Sequence, residues 1–175
     1  MRKLKITELH RLTPEQYRES VKIPLVVVLD QVRSLNNVGS LFRTADAFRV
    51  KAIYLCGITA APPHPEIHKT ALGAEDSVEW HDCPDTLEAA RELRQEGYVL
   101  CAVEQAEGSI MLDKLTLDRN RKYALILGHE VRGVQQAVMD QCDCCIEIPQ
   151  FGTKHSLNVA VAGGLAIWEF FRQLR

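Results

Sequence analysis

The sequence predicts an α/β fold with a mostly parallel sheet flanked by helices. Three observations carry this prediction. The run PLVVVLD (24–30) is continuously apolar and β-branched, as in a strand buried on both faces of a parallel sheet. Similar runs recur at 52–56, 98–103, 123–128 and 145–149. Segments with helical start and stop signals lie between them, and that alternation marks an α/β architecture in which ligands bind at the carboxyl ends of the strands. At 46% apolar and 25% charged over 175 residues, the composition suits one globular domain that buries roughly two-thirds of its unfolded surface.

Taken in order, Thr13-Pro14-Glu15-Gln16 forms a capping box with proline at the first helical position, so a short helix should run to about Ser20, and Pro24 stops it. The strand 24–30 leads into a polar loop, Asp30 to Ser40, and then a helix containing LFRTADAFRV. After AIYLC (52–56), the stretch ITAAPPHPEIHK (58–69) reads as an ordered surface loop before a short helix. Asp85–Glu96 has an acidic first turn, alanines, and Gly97 just past its end, which together specify a helix. The strands YVLCAV, YALILG and CIEIP follow. The last element is a helix capped by Ser156, in which Asn158 is the only polar residue from Leu157 to Trp168. A helix apolar nearly all round must be buried on most sides, in the core or against a partner subunit. Asn158 is then expected to be a buried amide in need of partners, and Gly163-Gly164, which weaken the helix by roughly 1 kcal/mol each, call for close packing. There is no internal repeat. Residues 1–22 form a short basic segment, and residues 23–175 a single domain.

The formal charge of −2 and pI of about 6.3 do not describe a simple nucleic-acid clamp. The distribution is uneven, however: residues 75–118 hold 12 acidic and 3 basic side chains, so the rest of the chain is +7 and could face a polyanion. No apolar run reaches a membrane span and MRKLKITELH lacks a signal peptide, which leads us to expect a cytoplasmic protein. The six cysteines should then be reduced core residues. Cys142, Cys144 and Cys145 lack a second ligand pair, and His64 and His68 are separated by Pro65 with no third ligand, so no metal site is expected.

Three loops after buried strands carry polar groups that a simple connection would not need. In the first, Asn37 or a neighbour can cap a helix, Gly39 allows close backbone approach, and Arg43 should emerge one turn in, giving a phosphate-sized site. In the second, a buried strand runs into Gly128, His129 and Glu130; Val134 stands where a phosphate loop requires lysine, and no G-x-G-x-x-G occurs. The third is IPQFGTKHSLNVAVAGG (148–164).

With NNVGSLFRTADAF (36–48) and ILGHEVRGV (126–134), that third segment resembles, in order and spacing, the three motifs of the SpoU/TrmH branch of the SPOUT RNA methyltransferases. The resemblance runs from about Pro24 to Arg175, and KTALGAE (69–75) is similar to the family's linker. It implies an α/β knot with a C-terminal trefoil knot, which pattern reasoning alone could not propose. It also implies an S-adenosylmethionine site, an obligate homodimer, an RNA substrate, and neither DNA nor membrane as partner. Asn37, Arg43, Glu130 and Asn158 match the family's catalytic set. Val103, Glu104, Gly128, Ile148, Ser156 and Leu157 match cofactor-binding positions. Arg49 departs from a common glycine, His129 from an asparagine or small residue, and Gln150 from a methionine.

The implied reaction is methyl transfer to a ribose 2′-hydroxyl. A guanidinium stays protonated above pH 12, so Arg43 is expected to grip the adjacent phosphate and steady the developing alkoxide, with RNA phosphate or water as proton acceptor. Glu130 and Asn37 would orient Arg43 and the ribose, and Asn158 would fix the loops. Without an appended RNA-binding domain, transfer RNA is slightly favoured over ribosomal RNA, with Arg2, Lys3, Lys5 and Arg11 assisting. The rival readings are base methylation, a non-catalytic RNA-binding maturation factor, and a small-molecule NAD or ATP enzyme. The missing phosphate fingerprints disfavour the last of these.

Overall fold

The computed structural model describes residues 1–175, the side chain of Ile6 excepted. In chain order it contains α1 (Pro14–Glu19), β1 (Ile23–Asp30), α2 (Leu35–Ala47), β2 (Val50–Cys56), α3 (Pro65–Ala71), β3 (Glu79–Cys83) and α4 (Thr86–Gln95). Then follow β4 (Tyr98–Val103), β5 (Ile110–Met111), β6 (Lys122–Leu127), α5 (Gln136–Met139), β7 (Cys144–Glu147) and α6 (Val159–Leu174). The seven strands form one sheet in the order β3-β2-β1-β6-β4-β7-β5, with every pairing parallel.

β1 lies inside the sheet, paired with β2 (Val27 opposite Ile53) and with β6 (Val27 opposite Leu125), which is why its sequence is apolar without alternation. Its odd residues Leu25, Val27 and Leu29 face the core shared with α2, α3 and α6, where Phe42 and Phe170 are fully buried. Val26 and Val28 point to the other layer, against α4 residues such as Ala90 and Leu93. Helices therefore cover both faces of the sheet. The N-terminal capping box is present around α1, and Tyr17 is buried with its hydroxyl donating to the Ala45 carbonyl at 3.4 Å.

Several elements depart from expectation. The edge strand β3 has exposed Glu79 and Asp82, and β5 is two residues long, so neither carries a buried-strand pattern. α3 begins at Pro65, inside the stretch read as loop, with the His64 ring accepting a hydrogen bond from the Glu66 N–H. α2 begins at Leu35, capped by Ser34. α6 begins at Val159, capped by Asn158 rather than Ser156, and Asn158 is exposed rather than buried. Gly39 does permit close approach, but of α3: a Cβ there would lie 2.3 Å from the Ile67 carbonyl oxygen.

α6 buries one face, including Ala166, Ile167 and Phe170, while Val161, Leu165 and Trp168 form an exposed apolar stripe. Its two glycines differ. A Cβ on Gly163 would come within 2.6 Å of Leu41 and 2.7 Å of Leu127, whereas nothing lies within 4 Å of one on Gly164. Gly163→Val, whose branched bulk exceeds what the Leu41 and Leu127 methyls can yield, should therefore overpack the α2–α6–β6 contact and lower the unfolding free energy by about 1–3 kcal/mol. In urea denaturation the midpoint should fall at unchanged slope.

Candidate active site

The carboxyl ends of the adjacent strands β4, β6 and β7 converge on a pocket of about 400 Å³. Val103 and Glu104 line it at the end of β4, Gly128 after β6, and Ile148 after β7, with Ser156 and Leu157 coming from the connection to α6. All six positions singled out in the sequence as cofactor-binding thus border one cavity. Gly128 is needed for its lack of a side chain, since a Cβ there would sit 2.1 Å from the Gly133 carbonyl carbon, where the chain folds back on itself. His129 and Gly133 close that fold with reciprocal backbone hydrogen bonds of 3.1 and 2.8 Å. His129 turns its ring inward to accept from the Val131 N–H at 3.0 Å, so the unusual residue at this position caps the turn.

Glu130 leaves that turn toward the start of α2. Its carboxylate accepts hydrogen bonds from the backbone N–H groups of Arg33 (3.1 Å) and Ser34 (2.9 Å), and from the Asn37 side-chain amide (3.0 Å). The anion at this helix start is therefore Glu130 itself, and the phosphate-sized site expected there is filled from within the chain. Because the Asn37 Nδ2 faces a carboxylate, its Oδ1 points the other way and accepts from the Asn158 Nδ2 at 3.0 Å. Asn158 Oδ1 in turn caps α6, accepting from Ala160 N–H at 2.9 Å and Val161 N–H at 3.3 Å. One hydrogen-bonded relay thus links the three sequence segments beside the pocket.

Burial works to raise the pKa of Glu130, but the backbone N–H groups of Glu130, Ser34 and Arg33 and the Asn37 amide outweigh it and bring the carboxyl down to about 2. At neutral pH it is an acceptor and an anchor, not a proton carrier.

Arg43 stands apart. It lies six residues after Asn37 on α2, beyond the first turn, and it is exposed. It borders two other depressions and not the pocket, and among the described residues it makes no ion pair or side-chain hydrogen bond. Three of the four expected catalytic positions are brought together, and the fourth faces outward. Among the described residues no cluster of three or more histidine, cysteine or carboxylate side chains could hold a metal. His68 instead meets Glu75 at 2.5 Å, and all six cysteines are free.

The sequence reading missed two supports. Asp30, fully buried at the end of β1, accepts from the Thr86 hydroxyl (2.7 Å), the Gln135 N–H (2.8 Å) and the Gln135 amide (2.6 Å). It pins the far end of the Glu130 loop, and an acid ending an apolar strand was the available signal. Gln105 donates to the His155 carbonyl at 2.8 Å, tying the segment before α6 to the β4 end; no sequence pattern marks that contact.

A parallel sheet with helices on both faces, carrying these three segments at its strand ends, defines an α/β domain whose ligand pocket is built from strand-end loops. The chain belongs to the SpoU rRNA Methylase family, whose model matches residues 24–168. It is 35% identical over 170 residues to the 23S rRNA (guanosine-2'-O-)-methyltransferase RlmB of Nitrosomonas europaea, covering 96% of this chain and 64% of that protein. The chain thus spans just under two thirds of that relative's length. An AdoMet-bound rRNA methyltransferase from Sinorhizobium meliloti superposes with a TM-score of 0.80 at 28% identity, covering 93% of this chain and 60% of that one. The TrmH/SpoU tRNA modifying enzyme of A. aeolicus gives 0.79 at 25% identity, covering 91% and 81%.

The Glu130 anchor has a pH signature. Its folded pKa of about 2 lies below the ordinary 4.5, so its contribution to stability is complete above about pH 5 and is lost as pH falls toward 2. The difference in urea midpoint between the wild type and Glu130→Gln should therefore be larger at pH 6 than at pH 3.

Proposed function

We propose that this protein transfers a methyl group from S-adenosylmethionine to a ribose 2′-hydroxyl of RNA. The observation that carries the proposal is the relay Glu130–Asn37–Asn158 beside a pocket at three strand ends, in a chain of the SpoU family. The pocket fits the cofactor. Its volume is within the range of small-molecule sites, and Val103, Ile148 and Leu157 offer apolar surface for a ring. Bound there, the cofactor would supply a methyl group activated on a sulfonium.

The chain's own part is positioning. Glu130, held ionised, fixes the Asn37 amide; Asn37 fixes Asn158; and Asn158 sets the start of α6 next to Ser156 and Leu157. Holding both reactants in line supplies much of the acceleration that such a displacement needs. Arg43 grips the phosphate beside the target ribose and steadies charge developing on its oxygen, while the hydroxyl proton leaves to RNA phosphate or water.

Arg43 is outside the pocket of its own chain, and this supports a homodimer in which a second copy brings its Arg43 to the first copy's pocket. The exposed Val161–Leu165–Trp168 stripe is the complementary surface, and Phe48, just past the end of the Arg43 helix, adjoins it, 5.4 Å from the Trp168 ring. The reading also includes the C-terminal trefoil knot of the family resemblance, a 23–175 catalytic domain preceded by a basic 1–22 segment, and a cytoplasmic location. Among the described residues, no helix is long and apolar enough to cross a membrane.

For substrate, ribosomal RNA now ranks above transfer RNA, reversing the lean taken from the sequence, because the 35%-identical relative is named for 23S rRNA. Incubation with methyl-labelled S-adenosylmethionine and separated ribosomal and transfer RNA, followed by nucleoside analysis, should yield a labelled 2′-O-methyl nucleoside from the ribosomal fraction. A labelled base would replace this reading with base methylation. No label, with cofactor binding intact, would replace it with a non-catalytic maturation factor. Arg43→Ala should lower turnover at least a hundredfold with little change in cofactor affinity, an effect on the order of that of removing one charge-stabilising donor. In sedimentation at nanomolar protein, the species should be a dimer with no well-folded monomer.

A further inference from the structure

A larger depression, of about 1280 Å³, lies away from the pocket. It is bounded by residues 9–14, the second half of α2, the turn at 71–77 and the end of α6. Its cations come from separate parts of the chain: Arg11, Lys22, Arg43, Arg49 and Arg175, against the two acids Asp46 and Asp76. Lys22 is engaged by the Tyr17 and Ser20 carbonyls, and the Arg175 guanidinium lies 5.4 Å over the Phe171 ring. Arg11, Arg43 and Arg49 are exposed and, among the described residues, make no ion pair or side-chain hydrogen bond. Arg43 also lines a smaller adjoining depression that holds Lys69, so the basic track continues past the groove.

Arg49 is the informative residue. It follows α2 with φ of +53°, in the left-handed region that glycine enters freely and arginine rarely does. An arginine here strains the backbone, and its side chain returns nothing to the fold through hydrogen bonds or ion pairs. Its guanidinium is thus free, among the described residues, to meet a ligand at the groove. The aromatic rings at the groove are already occupied: Tyr17 is buried and Phe171 packs on Phe48. Cations without free stacking surfaces suit a phosphate backbone rather than unpaired bases.

We infer that this groove holds the phosphodiester backbone of the substrate RNA flanking the modified nucleotide, with Arg11 and Arg49 as phosphate contacts that continue the line begun by Arg43. The inference rests on the methyltransferase reading for the identity of the polyanion. Its recognition is independent of sequence, and each contact should show as released counterions.

The test measures binding of a fluorescein-labelled single-stranded RNA of about 20 nucleotides to the full chain across a salt series, for the wild type, Arg11→Ala, Arg49→Gly and Lys114→Ala. Lys114 is an exposed cation outside the groove and controls for net charge. Arg49→Gly and Arg11→Ala should each weaken binding about 3- to 10-fold and flatten the logarithmic salt slope by about 0.7, while Lys114→Ala matches the wild type. Arg49→Gly relieves strain, so its melting temperature should be equal or higher, which separates lost contact from lost fold. In methylation assays the same two variants should raise KM for RNA and leave kcat near the wild-type value. Unchanged affinity and slope in both variants would overturn the groove assignment, even if the wild type methylates RNA. If the wild type methylates none, the functional reading fails and the binding series still decides whether the groove holds a phosphate backbone.

Discussion

One carboxylate organises the site. Glu130 takes two backbone N–H groups and a side-chain amide at the junction between the β1 loop and α2, so a turn more than ninety residues later in the chain is locked to the start of that helix. Such an arrangement satisfies donors that would otherwise need water or an external anion, and charge-assisted bonds are the stronger kind. The Asn37 amide passes the constraint on, because once its donor end is committed its acceptor end must face Asn158. The start of α6 is therefore set by an anion that it does not touch. In a network of this kind each bond depends on the others being made.

The scaffold makes this possible by stacking three strand ends side by side. β6, β4 and β7 are neighbours in the sheet although other elements separate them in the chain. Asp30 and Gly128 then hold the connecting loop from opposite ends, one by accepting hydrogen bonds and one by allowing backbone to approach backbone. In the reading proposed above, the surfaces beyond the pocket divide the remaining tasks. The apolar stripe of α6 suits a second copy, and the basic groove near the end of α2 suits a polyanion. Arg43 lies between these two surfaces and does not line the pocket of its own chain.

Much of this was legible in the sequence, and the exceptions have physical causes. The interior strands were readable because burial on both faces demands apolar residues at every position, as in β1. β3 was not, because an edge strand with exposed Glu79 and Asp82 has no such demand. The six pocket-lining positions came from motif resemblance, and the fold gathers them at one cavity. Helix starts misled by a few residues: Ser156 has the chemistry of a cap, but it lies in the segment that borders the pocket, and Asn158 does the capping. Asn158 was expected to be buried because its neighbours are apolar, yet those neighbours are themselves partly exposed on the stripe. The Arg43 position could not be read from spacing, since a helix carries a residue six places on out of its first turn whatever the motif suggests.

The most direct measurement is amide hydrogen exchange on Glu130→Gln. If the relay couples the three segments, the amides of Ala160 and Val161 at the start of α6 should lose protection along with those of Arg33 and Ser34, although Glu130 contacts only the latter pair. Loss confined to Arg33 and Ser34, with Ala160 and Val161 exchanging as in the wild type, would contradict the account.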